Sequence, residues 1–276
     1  MSTFIHLDRL SGIKSHQANH WWLIAVVLQI LAVGVNIFAT TTNSLAKESA
    51  LISAILTVCY VASKWRSDRF KQLAAKLKRA FEMFDGSGWP VSAKELSDLL
   101  VTVSRHEREQ AHEEPEQSYF ASKAPQSAQR LLENLEESAW WTKHLAGSMA
   151  FHTSLLCVAV FVVAAITLVV TLQSTASQTT ADTVAKVTTS IVVFIFSGGY
   201  FRLAFEYNQF SRGAEQIENQ ANFLLQRKDF PEIQATKLLH DYHIIRAGSP
   251  LLPNWLWKYR RGDLNELWDQ RLSSQA

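Results

Sequence analysis

The stretch Trp21–Thr40, WWLIAVVLQILAVGVNIFAT, decides the fold. It carries no charged residue, and about 20 residues at 1.5 Å rise cross a hydrocarbon core about 30 Å thick. Trp21 and Trp22 at its start suit an interfacial aromatic belt. A cleavable signal peptide has a different form: the polar lead here is long, the apolar stretch exceeds an ordinary h-region, and no small-residue cleavage site follows cleanly.

Three more apolar blocks lie further along. The second, about Ser49–Ser63, is the shortest (SALISAILTVCYVAS) and ends in Lys64-Trp65-Arg66, an interfacial stop. The third is Leu155–Leu172, LLCVAVFVVAAITLVVTL, and the fourth is Val187–Ala204, VTTSIVVFIFSGGYFRLA. Polar segments, TTNSLAKE and QSTASQTTADTVAK, join the blocks in pairs. The 47% hydrophobic content of the 276 residues is ordinary, but its segregation into blocks is not that of a soluble protein. Both cysteines, Cys59 and Cys157, fall inside apolar blocks, which argues against a disulfide framework.

Lys and Arg set the expected topology. Residues 1–20 hold two, 41–48 one and 173–186 one, against thirteen in 64–149 and ten from Arg202 onward. The positive-inside rule places the N-terminus, the middle region and the C-terminal region in the cytoplasm, with both joining segments outside. The expected class is all-α: four transmembrane helices as two hairpins plus a cytoplasmic helical bundle. The divisions are a tail (1–20), hairpin 1 (21–63), a helical region (64–149), hairpin 2 (150–204) and a second helical region (205–276).

Within the polar regions, Phe70, Leu73, Leu77, Phe81 and Phe84 recur at three- and four-residue steps, with Lys71, Lys76, Lys78 and Arg79 on other faces. Asp85-Gly86-Ser87-Gly88-Trp89-Pro90 breaks that helix. Ser92 and Glu95 open the next with a capping-box pattern. A loop, HEEPEQSYFASKAPQ, precedes a helix through Leu131 and Trp140-Trp141 into the third block. Arg202 and Glu206 are spaced to pair, and Pro231 opens a helix ending near Arg246.

For catalysis there is no phosphate-cradling glycine loop, nucleophile elbow or zinc-type Cys/His spacing. His240 and His243 read as a packed or solvated helical face before they read as metal ligands. No enzyme activity, cofactor or metal is expected. Polar groups inside the blocks carry more weight, because burying them in lipid is costly. Gln29 and Asn36 share one face of the first block, and Ser53 and Thr57 one face of the second. They either line a pore or bond between helices. Gly198 and Gly199 permit close packing or a gating hinge.

The C-terminal stretch LLHDYHIIRAGSPLLPNWLWKYRR, the pair Tyr119-Phe120 followed by Trp140-Trp141, and LKRAFEMFDGSGW with its Phe84-Asp85 turn carry a resemblance. Together with two hairpins around a cytoplasmic insert, they resemble the SMODS-associated four-transmembrane effector family of bacteria. The likeness covers nearly the whole chain in layout through short motifs. It implies a pore former encoded beside a nucleotide second-messenger synthase in antiviral, abortive-infection defence. Asp241, Arg246, Trp255, Trp257, Lys258 and Arg260 are then the expected cytoplasmic signal-binding residues, with Pro250 and Pro253 in the turn. The Arg and Trp side chains could pair with phosphate and stack on a base.

The resulting expectation is a homo-oligomeric effector of the bacterial inner membrane that opens a pore on a cyclic nucleotide or partner signal. No nucleic acid polymer is expected as a partner. A non-conducting anchor that recruits a soluble partner is the alternative. A secondary transporter ranks below both, because no charged residue lies near mid-span.

Overall fold

The computed structural model describes residues 2–42, 46–113, 119–173, 178–197, 199–227 and 229–275. Among them the chain forms nine α-helices and no strand. These are α1 (Ser2–Thr42), α2 (Ala46–Ser87), α3 (Ala93–Val101), α4 (Arg105–Glu113), α5 (Ala128–Gln173), α6 (Gln178–Ser197), α7 (Tyr200–Arg227), α8 (Glu232–Gly248) and α9 (Asn254–Gln275). The chain is all-α, as its periodicities require.

The helices divide into two compact units. A polar unit comprises Met1–Asn19, Asp68–Gly147 and Tyr207–Ala276, and an apolar unit comprises His20–Ser67 and Ser148–Glu206. Helices α1, α2, α5 and α7 each contribute residues to both.

In the polar unit, two apolar clusters form the core. One joins Leu131, Leu132 and Leu135 of α5 to Ile217 of α7 and to Leu238, Leu239 and Tyr242 of α8. The other joins Leu7 and Leu10 of α1 to Leu77 and Phe81 of α2, Leu99 of α3, and Phe120. The α2 stripe read from the sequence supplies this second cluster through Leu77 and Phe81. At the end of α2 the chain passes close to α5: a Cβ on Gly86 would lie 2.5 Å from the Leu131 Cδ1 and 3.0 Å from its Cα, so any larger residue forces Leu131 to shift. Ser92 caps α3 by accepting from the Glu95 N–H at 3.1 Å. Helix α4 has no apolar stripe that would mark it as a separate helix; a turn over Thr102–Ser104 divides it from α3.

The apolar unit has the opposite surface. Among the described residues two helices are long and apolar enough to cross a membrane, within His6–Ala39 and Ala128–Thr171. Only 6% and 17% of their most apolar windows are buried, so neither is the core helix of a soluble fold. On α5, Val158, Val162, Val163, Ile166, Val169 and Val170 are all at least half exposed, on more than one face. A helix apolar all round and uncovered by protein is matched to a hydrocarbon solvent.

Two boundaries differ from the expectation. The segment 173–186 reads as a joining loop, yet α6 is already helical from Gln178, because TTADTVAK contains no glycine or proline to stop it. The fourth block is also not one helix. It breaks between Ser197 and Tyr200, where Gly199 adopts φ +69. A residue with a Cβ pays roughly 1–2 kcal/mol in that conformation. Nothing lies within 4 Å of a Cβ built there, so Gly199→Ala should cost about 1 kcal/mol through the backbone alone. Thermal unfolding in detergent with Gly34→Ala beside it checks this, since Gly34 also has open space but lacks a positive φ.

Candidate functional site

The polar unit is held by ion pairs that its sequence spacing builds from several helices. On α2, Glu82 is 3% exposed and faces α8. His243 and Arg246 stand three residues apart on α8 and therefore share a face. Arg246 Nη1 donates to Glu82 Oε1 at 2.9 Å, and His243 Nε2 meets Glu82 Oε2 at 2.7 Å. Burial alone would raise the Glu82 pKa, but Arg246, His243 and Lys78 outweigh it and hold the carboxyl well below the usual range. Beside it, Tyr242 donates to the Ser138 carbonyl at 3.1 Å and bonds Thr142 at 2.8 Å, and burial pushes its phenol upward.

One turn earlier on α2, Lys78 departs from its expected outer face. It is buried, bonds Asp8 at 2.5 Å, and lies 2.9 Å from the centroid of the Tyr119 ring. Phe120 stacks parallel to Phe81 at 6.2 Å. The Tyr119-Phe120 motif is thus the aromatic seat of a buried cation.

A second cluster links α5, α7 and α9. Arg271 Nη1 donates to Glu218 at 2.6 Å, and its Nη2 donates to Glu136. Lys143 pairs with Glu218 at 2.6 Å, and Asn222 donates to Glu136 at 2.9 Å. Trp268 covers the cluster, 5.1 Å from Trp140, so this tryptophan of the tail packs on the bundle. A third pair joins α1 to α4: Lys14 donates to both oxygens of Glu107 at 2.6 and 2.7 Å. Burial opposes ionisation of Glu107, but Lys14, Ser104 and Gln17 overcome it and lower its pKa to about 2. A fourth sets Arg130 against Asp85 at 2.9 Å, with Asn134 donating to the same carboxylate at 2.7 Å.

Each of these carboxylates already holds a cation, so none is poised as a base or nucleophile. Among the described residues no group of three or more His, Cys, Asp or Glu could hold a metal ion. The cavity beside Glu82, lined also by Phe120, Asn134, Ser138 and Tyr242, measures about 10 Å³. That is room for one water and not for a nucleotide. What the arrangement can do is fix helix positions. Paired buried charges tolerate one geometry and penalise every other.

No family model, curated protein or solved structure matches the chain.

The expected signal-binding residues lie on two helices, Asp241 and Arg246 on α8 and Trp255, Trp257, Lys258 and Arg260 on α9. Arg246 is committed to Glu82. Asp241 is half-buried on α8, and Arg260 pairs with Asp263 at 3.3 Å. Trp255, Trp257 and Lys258 are exposed on α9, where the Arg261 guanidinium lies 4.8 Å from the Trp257 ring. Glu82, Glu136 and Glu218 are the residues that sequence reading missed. The available signal was a carboxylate inside an otherwise apolar helical face: Glu82 follows Phe81 and stands four residues from Lys78.

In the apolar unit the polar residues bond between helices. Ser53 Oγ donates to Asn36 Oδ1 at 3.1 Å, and the Tyr200 hydroxyl reaches Gln29 Oε1 at 3.4 Å. Thr57 donates back to the Ser53 carbonyl at 2.8 Å. Asn36 and Thr57 nevertheless remain exposed on the apolar surface. Gly199 occupies the break between α6 and α7, while Gly198 lies outside the described residues.

Proposed function

We propose that this chain is a four-span effector of the bacterial inner membrane, acting as a homo-oligomer that opens a pore in antiviral defence. The carrying observation is the exposure of Asn36 and Thr57 on an otherwise aliphatic surface. Both are bonded within the chain, and a polar surface of this kind suits a neighbouring subunit or a water-filled path better than acyl chains. The spans are Trp21–Thr40, Ser49–Ser63, Leu155–Leu172 and Val187–Ala204, the last broken at Gly199. Both termini lie in the cytoplasm.

The polar unit is the receiver. A cyclic nucleotide, or the partner that makes one, shifts the population between closed and open packings by favouring one arrangement of its paired charges. The helices shared by the two units are the covalent route for that change.

A second reading is favoured by the Ser53–Asn36 and Tyr200–Gln29 bonds, which satisfy these groups within one chain. On that reading the chain anchors a soluble partner and conducts nothing. Membrane potential in bacteria expressing the chain, with and without a nucleotide-synthesising partner, separates the two. The pore reading expects depolarisation that needs the partner and changes in Gln29→Leu and Asn36→Leu variants. An intact potential, with the protein in the membrane and the partner active, would leave the anchor.

A further inference from the structure

We infer that the first two turns of α9 form a membrane-surface site for anionic lipid headgroups. This rests on the reading of the apolar blocks as spans. Five bonds within the polar unit tie the turn before α9 to three of the helices that carry those blocks. The Asn254 N–H donates to Asn19 Oδ1 at 3.0 Å, and Asn19 Nδ2 donates back to Asn254 Oδ1 at 3.1 Å. Asn19 precedes Trp21 by two residues of continuous helix, about 3 Å of rise. Tyr207 donates to the Leu251 carbonyl at 2.6 Å, and Ala204, the end of the fourth block, is three residues back along α7. Lys71 donates to the carbonyls of Ala247 and Ser249, and stands one and a half turns beyond the Arg66 stop on α2. The 247–254 turn is thus bonded to three separate helices at positions two, three and eight residues along the chain from their apolar blocks.

What α9 presents there is specific. Leu256, Leu264 and Trp268 are buried and face the bundle. The same two turns expose Trp255 at 53%, Trp257 at 42% and Tyr259 at 76%, together with Lys258 and Arg261. From Asn254 to Arg261 there is no acidic residue; Asp263, Glu266 and Asp269 follow only further along. Amphipathic aromatics suit the headgroup layer, and Lys and Arg beside them are drawn to anionic lipid. On the span reading, an aromatic and basic surface this near along the chain to three spans, with a charge sign opposite to the lipid, meets a phospholipid headgroup before any other ligand.

The test uses the full chain in lipid nanodiscs, with Cys59→Ser and Cys157→Ala, and a nitroxide at one position: Tyr259→Cys, Ile233→Cys at the start of α8, or Leu31→Cys within the first block. Collision with a water-soluble nickel reagent is compared with collision with oxygen. In phosphatidylglycerol discs the label at 259 should be shielded from nickel several-fold relative to 233. Phosphatidylcholine discs, or Lys258→Ser with Arg261→Ser, should weaken that shielding, since each basic residue shifts the bound-to-free ratio roughly fivefold. A label at 259 as accessible as that at 233, with 31 in lipid, would overturn the site while leaving the span reading intact. A water-exposed label at 31 would overturn the span reading itself. Equal shielding in both lipids would overturn headgroup charge as its basis. Shielding that appears only on adding a cyclic dinucleotide would make the face a ligand site and overturn the lipid assignment.

Discussion

Glu82→Ala is expected to destabilise the polar unit by about 3 kcal/mol, a fall of roughly 6–12 °C in the unfolding midpoint. Removing one partner of a buried pair strands the other charge in a poor solvent, and that is where most of the cost arises. The low end of the usual range applies because the Arg246 side chain keeps 23% of its surface accessible and can recover some hydration. Glu82→Gln keeps the shape and one acceptor, so its loss should be smaller. The pH dependence follows from the sign of the shift. The folded carboxyl is held below its ordinary value of 4.5, so its stabilisation is complete above that pH. As pH falls below 4.5 the unfolded chain gains the proton first, and the stabilisation is lost. Thermal unfolding between pH 6 and pH 2 should therefore show a steeper acid decline in the native chain than in Glu82→Gln. Parallel curves would contradict the assignment.

Arg271→Met should cost a similar amount, again about 3 kcal/mol, because it leaves two buried carboxylates where one cation bridged them. Glu218 retains Lys143 at 2.6 Å, whereas Glu136 retains only the Asn222 amide at 2.9 Å. Most of the loss is therefore assigned to Glu136. Adding Glu136→Gln to Arg271→Met should restore much of the stability, because removing both charges is far cheaper than removing one. The measured coupling between the two substitutions is the decisive quantity. Additive losses would mean that Arg271 stabilises through its packing near Trp268 and not through charge.

These clusters also mark where sequence reading stopped. Periodicity makes the helices visible: the stripe Leu73, Leu77, Phe81 locates α2, and the leucines before Trp140-Trp141 locate the start of α5. It says nothing about which carboxylate meets which cation when the partners are far apart in the chain. Glu82 and Arg246 are separated by 164 residues. Lys78 shows the same limit. A lysine on a helical stripe reads as solvated, and only the rings of Tyr119 and Phe120 and the carboxylate of Asp8 make its burial affordable. The break at Gly199 was legible as a glycine pair, but its positive φ was not. Of the signal-binding residues that the resemblance implies, Arg246 is paired with Glu82 in the fold. Trp255, Trp257 and Lys258 stayed on the surface because the turn SPLLP aims Leu256, Leu264 and Trp268 inward instead.

The central claim is that four spans place both joining segments outside the cell and the polar unit inside. Single cysteines at Glu48, Asp182 or Ile233, all exposed positions, test it in the background lacking Cys59 and Cys157. Each variant is treated with a membrane-impermeant maleimide in spheroplasts, intact or permeabilised. The account predicts labelling of Glu48→Cys and Asp182→Cys in intact spheroplasts, and of Ile233→Cys only after permeabilisation. Labelling of Ile233→Cys from outside, or protection of either joining segment until the membrane is opened, would contradict it.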